Sequence, residues 1–162
     1  MKYKIGFTCG AFDLCHAGHI LMFEQVKGQC DHLIVGLQND PSVDRPLKNK
    51  PVQSIVERQI QLNAIKYIDD VIVYNTEADL VDLLKTLPIN VRFVGEDHKD
   101  EEFTGKDLHL HPIVFNSRTH SFSTSDLRSR VFAATTNTKQ YSSLLTHGFN
   151  GTTASDLGYT KK

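Results

Sequence analysis

An α/β chain built on a parallel sheet is predicted by three observations. Five short apolar runs are rich in β-branched residues, longer amphipathic runs lie between them, and the two kinds alternate along the chain. Alternation of this kind implies parallel strands joined by right-handed helical crossovers, because a parallel pair needs a long connection and a helix supplies it. The expected architecture is a Rossmann-like, doubly wound parallel sheet of about five strands in a single domain. Ligands in such sheets bind beyond the carboxyl ends of the strands.

The first strand covers residues 3–8 and enters a turn at Gly10, after which Ile20, Phe23 and Val26 recur at helical spacing. The second covers 33–37. Residues 39–51 then bring three prolines and no periodicity, which reads as a mobile loop over the site. Ser54 with Glu57 has capping-box spacing and opens a second helix carrying Ile55, Leu62, Ile65 and Ile68. After a third strand at 71–74, Thr76 with Asp79 opens a third helix, whose core face is Leu80, Leu83, Leu84 and Leu87, and Pro88 fits just beyond its end. Strands at 91–94 and 113–115 follow, and Ser123-Thr124-Ser125-Asp126 marks the start of a last helix. The domain is expected to span residues 1–132. Residues 133–162, rich in Ser, Thr, Asn and Gly, are expected to form a weakly ordered polar tail with room for one docked turn at 141–145.

Bulk composition narrows the function. With 18 basic and 19 acidic residues the formal net charge is −1, which gives no general attraction to nucleic acid or to an anionic membrane, so an anion site must come from local clustering. No apolar stretch approaches the roughly 20 residues that a membrane helix needs. Met1-Lys2-Tyr3-Lys4 runs directly into a strand, and the three cysteines lack framework spacing, so the expected location is cytoplasmic and the thiols free.

The chemistry concentrates in Gly10-Ala11-Phe12-Asp13-Leu14-Cys15-His16-Ala17-Gly18-His19. Two histidines three apart share a face of a helical turn, with Gly18 between them allowing close approach to the backbone. A strand that ends in a glycine turn and feeds a helix N-terminus aims free N–H groups and the positive end of a helix dipole at one spot, which suits phosphate. The same pair could also serve simply to cap a helix. A second cluster is Arg118-Thr119-His120-Ser121-Phe122-Ser123-Thr124-Ser125, where a guanidinium precedes the hydroxyls and amides of a helix start and makes a second phosphate cradle.

The first segment resembles the His-x-Gly-His signature of nucleotidylyltransferases. The second resembles the Arg-Thr-x-Gly-x-Ser-Thr-Thr/Ser motif of the cytidylyltransferases that activate glycerol 3-phosphate, phosphocholine and phosphoethanolamine. The two stand in family order about one hundred residues apart, with Val94-Gly95-Glu96-Asp97 between them, and the resemblance runs roughly from residue 2 to residue 131. In size the chain is similar to the short bacterial glycerol-3-phosphate enzymes. Two departures stand out: Ala11 where the family more often has Thr, and Ser121 where it has Gly.

The resemblance implies transfer of CMP from CTP to a phosphorylated alcohol, with glycerol 3-phosphate as the expected acceptor and Mg²⁺ carried by the phosphates. It implies His16, His19, Lys48 and Arg118 as catalytic residues. Nucleotide contacts are implied for Gly10, Ala11, Phe12, Asp13, Gly18, Lys50, Asp97, Thr119, Ser123, Thr124 and Ser125, and acceptor contacts for Lys48, Arg58 and Lys66. No protein ligand set for a metal is expected, and a homodimer is expected by analogy. The His-x-Gly-His element also occurs in relatives that use ATP, so the first motif alone does not choose the base. Two other readings stay open: a zinc-binding module drawing on Cys9, Cys15, His16, His19, Cys30 and His32, and a nucleotide-binding relative without activity. Kinase and dehydrogenase readings have no Walker A loop and no Gly-x-Gly-x-x-Gly run to rest on.

Overall fold

The structure is a computed structural model and describes residues 2–136. In chain order the elements are β1 (Tyr3–Gly10), α1 (Ala17–Gln29), β2 (Cys30–Gln38), α2 (Ile55–Asn63), β3 (Asp70–Tyr74), α3 (Glu77–Thr86), β4 (Val91–Gly95), β5 (Ile113–Asn116) and α4 (Thr124–Thr136), with one 3₁₀ turn at Glu96–His98. Two units are distinguished, Met1–Thr124 and a second from Ser125 onward whose described part is the rest of α4. The helix carries through residues 133–136, past the expected domain edge at 132 and into the expected tail. The expected turn at 141–145 lies outside the described residues.

All four strand pairings are parallel and the order is β3-β2-β1-β4-β5. The chain winds outward from β1 through β2 to β3, then returns to the other side of β1 for β4 and β5. The reversal of direction falls between β1 and β4, so the crevice of the sheet opens at their carboxyl ends. Leu33, Val35 and Leu37 of β2 join Phe23 and Val26 of α1 and Leu62 of α2 in one buried cluster, while Ile34 joins Phe7, Leu80 and Leu84 in another. The period of two in β2 therefore feeds a core on each face of the sheet.

Helix starts follow the sequence closely. Ser54 and Thr76 each accept from the backbone N–H three residues on, and Glu57 and Asp79 return the bond, so both capping boxes are formed. The second helix ends sooner than its apolar period. Ala64, Ile65 and Ile68 each donate to a carbonyl three residues back, and these tight turns keep Ile65 and Ile68 against the core without α-helix. Lys66, expected on the second helix near the acceptor, is instead in this turn, four residues before β3 begins. The start of a parallel strand is the edge opposite the crevice, so Lys66 is withdrawn from the acceptor set; its ammonium stands 4.8 Å from the centre of the Tyr67 ring.

Candidate active site

The turn from β1 to α1 is shaped by two non-glycine residues in the left-handed region, Phe12 at φ 47° and Leu14 at φ 50°. Such backbone costs about 1–3 kcal/mol at each position and persists only where the surroundings enforce it. Here they do. The Phe12 ring is buried with its centre 5.1 Å from Phe23 and 5.5 Å from His19, the Leu14 N–H donates to Gln53 Oε1 at 2.8 Å, and the Asp13 carboxylate accepts from the Val52 and Gln53 amides at 3.0 and 2.9 Å.

His16 is the N-cap of α1. Its Nδ1 accepts from the Gly18 N–H at 3.1 Å, and His19 Nδ1 accepts from the His16 N–H at 3.4 Å, a capping box built from two imidazoles. Capping and phosphate chemistry are thus compatible roles for the pair. Because each Nδ1 accepts, each ring is held as the neutral tautomer with its proton on Nε2, a donor facing away from the helix. The rings stack with centres 4.0 Å apart, and His16 Nε2 lies 3.3 Å from the Thr124 hydroxyl. Burial, followed by the neighbouring His16 and Arg118, lowers the His19 pKa to about 4, and burial with Arg118 and His120 lowers that of His16. Two neutral N–H donors point from one helix end.

A cavity of about 410 Å³ opens over this helix end. Its walls include His16, Gly18, His19, Asp97 and Asn116, and, from the segment after β5, Ser117 to His120 and Phe122 to Thr124, among them Arg118, Thr119 and Ser123. A side chain at Gly18 has no room, since its Cβ would come within 2.6 Å of the His120 ring and 2.9 Å of the His16 ring. Arg118 donates to the Phe122 carbonyl at 2.5 Å, which closes the loop and leaves the guanidinium on the cavity wall.

A second cavity, about 440 Å³, adjoins the first across His19, Met22, Gly95, Asp97 and Asn116, which line both. Gly10, Ala11 and Phe12, expected to hold the nucleotide beside the histidines, line this second cavity and not the first. Lys48 is also here, on the loop that was expected to be mobile. That loop is fastened at both ends: Asp44 accepts from the Glu77 N–H at 2.6 Å, Arg45 reaches Gln38 Oε1 at 2.6 Å and Glu77 Oε1 at 3.1 Å, and Asp13 holds Val52 and Gln53. Gln38 and Thr104 also donate to the Glu77 carboxylate. Lys50 and Asp13 line neither cavity. Ser125 belongs to the second unit.

Arg58 does not face a ligand. It is 1% exposed, and its guanidinium donates to the carbonyls of Ala11, Gln38, Asn39 and Gln53 at 2.6–3.1 Å, so it braces the β1 turn, the end of β2 and the loop. A basic residue on a helix reads as solvated or ligand-facing in sequence; only the tertiary fold shows four carbonyls converging on it. Several wall residues were missed for the opposite reason. Gln38 and Asn116 are polar residues ending apolar strands at the crevice edge, and Arg92 interrupts the apolar run of β4, donating to the Thr104 carbonyl at 2.6 Å. Those interruptions were visible in the sequence. The six residues of the zinc reading are not gathered: Cys30 opens β2 at the edge opposite His16, and His32 binds Asp70 at 2.6 Å.

A doubly wound parallel sheet whose switch point carries a His-x-Gly-His helix start, faced by an Arg-Thr loop, defines a nucleotidyltransferase. Within that class, the chain belongs to the cytidylyltransferase-like family, whose model matches residues 7–144. Among curated relatives it is similar to the bifunctional protein HldE of Paramagnetospirillum magneticum, 40% identical over 107 residues, 65% of this chain and 22% of the relative. It is also similar to that of Campylobacter jejuni subsp. jejuni, 35% identical over 130 residues, 79% of this chain and 28% of the relative. The chain therefore spans between a fifth and a third of the length of these relatives. Two solved structures share the fold: a lipopolysaccharide core biosynthesis protein from Thermoplasma volcanium (TM-score 0.61, 22% identity, 72% of this chain and 98% of that one) and the pantothenate synthetase of Thermus thermophilus (TM-score 0.52, 12% identity, 72% and 56%). No helix among the described residues is long and apolar enough to cross a membrane.

Proposed function

We propose that the chain transfers a nucleoside monophosphate from a nucleoside triphosphate, with CTP first in order, to the phosphate of a small phosphorylated alcohol or sugar, with glycerol 3-phosphate first in order. The observation that carries this reading is the meeting of two cavities at His19, one walled by phosphate-type donors and the other by Lys48 and a polar network. The triphosphate occupies the first cavity and the acceptor phosphate enters from the second. An acceptor oxygen bonds to the α-phosphorus in line as the bond from that phosphorus to the bridging oxygen breaks, and pyrophosphate leaves. No covalent enzyme intermediate is needed, so the protein acts by positioning and by stabilising charge.

His16 and His19 donate their Nε2 protons to the nonbridging and leaving oxygens as charge gathers there, and Arg118 supplies a permanent cation. Their lowered pKa values suit hydrogen-bond donation by a neutral ring, which needs no proton transfer. Lys48 meets the acceptor's phosphate. Mg²⁺ is held mainly by substrate phosphates in such reactions, and the wall between the cavities fits it, since Asp97 offers one carboxylate there. When bound it neutralises triphosphate charge. CTP is favoured over ATP by the likeness of Arg118–Ser125 to the cytidylyltransferase motif.

The test is a pyrophosphate-release screen crossing four nucleoside triphosphates with glycerol 3-phosphate, phosphocholine, phosphoethanolamine and several sugar phosphates, with Mg²⁺ present or chelated. CDP-glycerol identified by mass spectrometry is the expected product. Conversion of another acceptor would replace glycerol 3-phosphate and keep the transfer reading. No turnover with any pair would leave nucleotide binding without catalysis.

A further inference from the structure

Asn116 ends β5 at the crevice and is the buried polar residue for which the transfer reading has no use. It is 5% exposed, lines both cavities, and its Oδ1 has no hydrogen-bond partner among the described residues. In the sheet it is in register with Gly95, the last residue of β4. A Cβ at Gly95 would collide with the Asp97 carboxylate, so the missing side chain there lets Asp97 fold back over the strand end. A carboxamide and a carboxylate are thus brought to neighbouring strand ends, on two residues that line both cavities.

A buried carbonyl without a partner is costly, and the group that satisfies it must be a donor. Triphosphate and phosphate-ester oxygens near neutral pH are acceptors and do not qualify. Hydroxyl groups do, and both substrates carry them, on the ribose and on the acceptor's carbon chain. His16, His19 and Arg118 supply the phosphate donors around the same space, so phosphate and hydroxyl recognition fall to different residues. We propose that Asn116 is a substrate-binding residue whose carboxamide oxygen accepts a hydrogen bond from a substrate hydroxyl beside the reacting phosphates. The proposal rests on the transfer reading and adds to it a residue that neither sequence motif contains.

Calorimetric titration of the full chain with CTP, 2′-deoxy-CTP and 3′-deoxy-CTP, together with acceptor KM for the pair selected by the pyrophosphate screen, tests it on wild type, Asn116→Ala and Asn116→Asp. If the hydroxyl is ribose, Asn116→Ala weakens CTP about tenfold and removes its advantage over one deoxy analogue; if it is the acceptor's, acceptor KM rises about tenfold with CTP affinity unchanged. Asn116→Asp keeps an acceptor oxygen but adds a negative charge beside Asp97 and the substrate phosphates, so it weakens CTP and both deoxy analogues alike and keeps the wild-type preference among them; loss of that preference in Asp as in Ala overturns the proposal. Melting temperature is read beside affinity as a fold control, since Asn116→Ala also removes the amide nitrogen and leaves a small void. CTP affinity and acceptor KM both within twofold of wild type, in a variant that remains folded, also overturn it. Wild-type protein that binds no nucleoside triphosphate and releases no pyrophosphate sinks the transfer reading itself; normal wild-type turnover with an indifferent Asn116→Ala sinks this residue alone.

Discussion

His16 does two jobs with its two ring nitrogens, and they can be separated. Nδ1 caps α1 and Nε2 faces the cavity, so His16→Ala loses a cap worth about 0.5–2 kcal/mol as well as a phosphate donor. His16→Asn restores a cap acceptor and leaves the donor missing. Both variants are expected to lose about 10² or more in kcat, while only the alanine loses stability, which steady-state kinetics and urea denaturation would show. Near-normal turnover in either variant would remove His16 from the reaction. His19 adds a pH signature. Its folded pKa of about 4 lies below the ordinary histidine value of 6.5, so between those values the unfolded chain binds more protons and stability rises with pH. Denaturation midpoints measured from pH 4 to 7.5 should climb over that window in wild type and climb less steeply in His19→Gln, where His16 still contributes in the same direction. The capping role of the pair was legible in sequence as an alternative to phosphate chemistry; what the sequence did not show is that the two roles use different nitrogens of the same rings.

At the scale of elements, the second cavity depends on Arg58 as a brace for three backbone segments. Arg58→Met leaves the carbonyls of Ala11, Gln38, Asn39 and Gln53 without their charged donor, and a loss of about 3 kcal/mol or more is expected in denaturant unfolding. An acceptor-binding arginine would instead raise KM with stability intact, so the two readings give opposite patterns. All five strands and the helix starts were readable because they rest on local signals: apolar period, capping boxes, prolines. The end of α2 was not, since Ile65 and Ile68 keep helical spacing while the backbone has tightened into three-residue turns. Lys66 was misplaced by the same error. Arg58 was misread for a different reason, since burial among carbonyls distant in sequence leaves no local trace.

For the whole molecule, the site draws on a limited part of the chain. Every residue lining the two cavities falls between Thr8 and Thr124, although the family model extends to residue 144 and the curated relatives are several times longer. If the chemistry is confined to those walls, a chain ending at residue 136 keeps kcat/KM within about threefold of the full chain. Kinetics of the two lengths, run beside sedimentation equilibrium, give the test, and a homodimer remains the expected assembly. A shortened chain that keeps its assembly and loses activity would place part of the site beyond Thr136. One that loses assembly and activity together would make the dimer a condition of catalysis, and the site would then have to be completed by a partner copy. Retained activity and retained assembly together would confine both to residues 1–136, and His16, His19 and Arg118 share one cavity within the first unit.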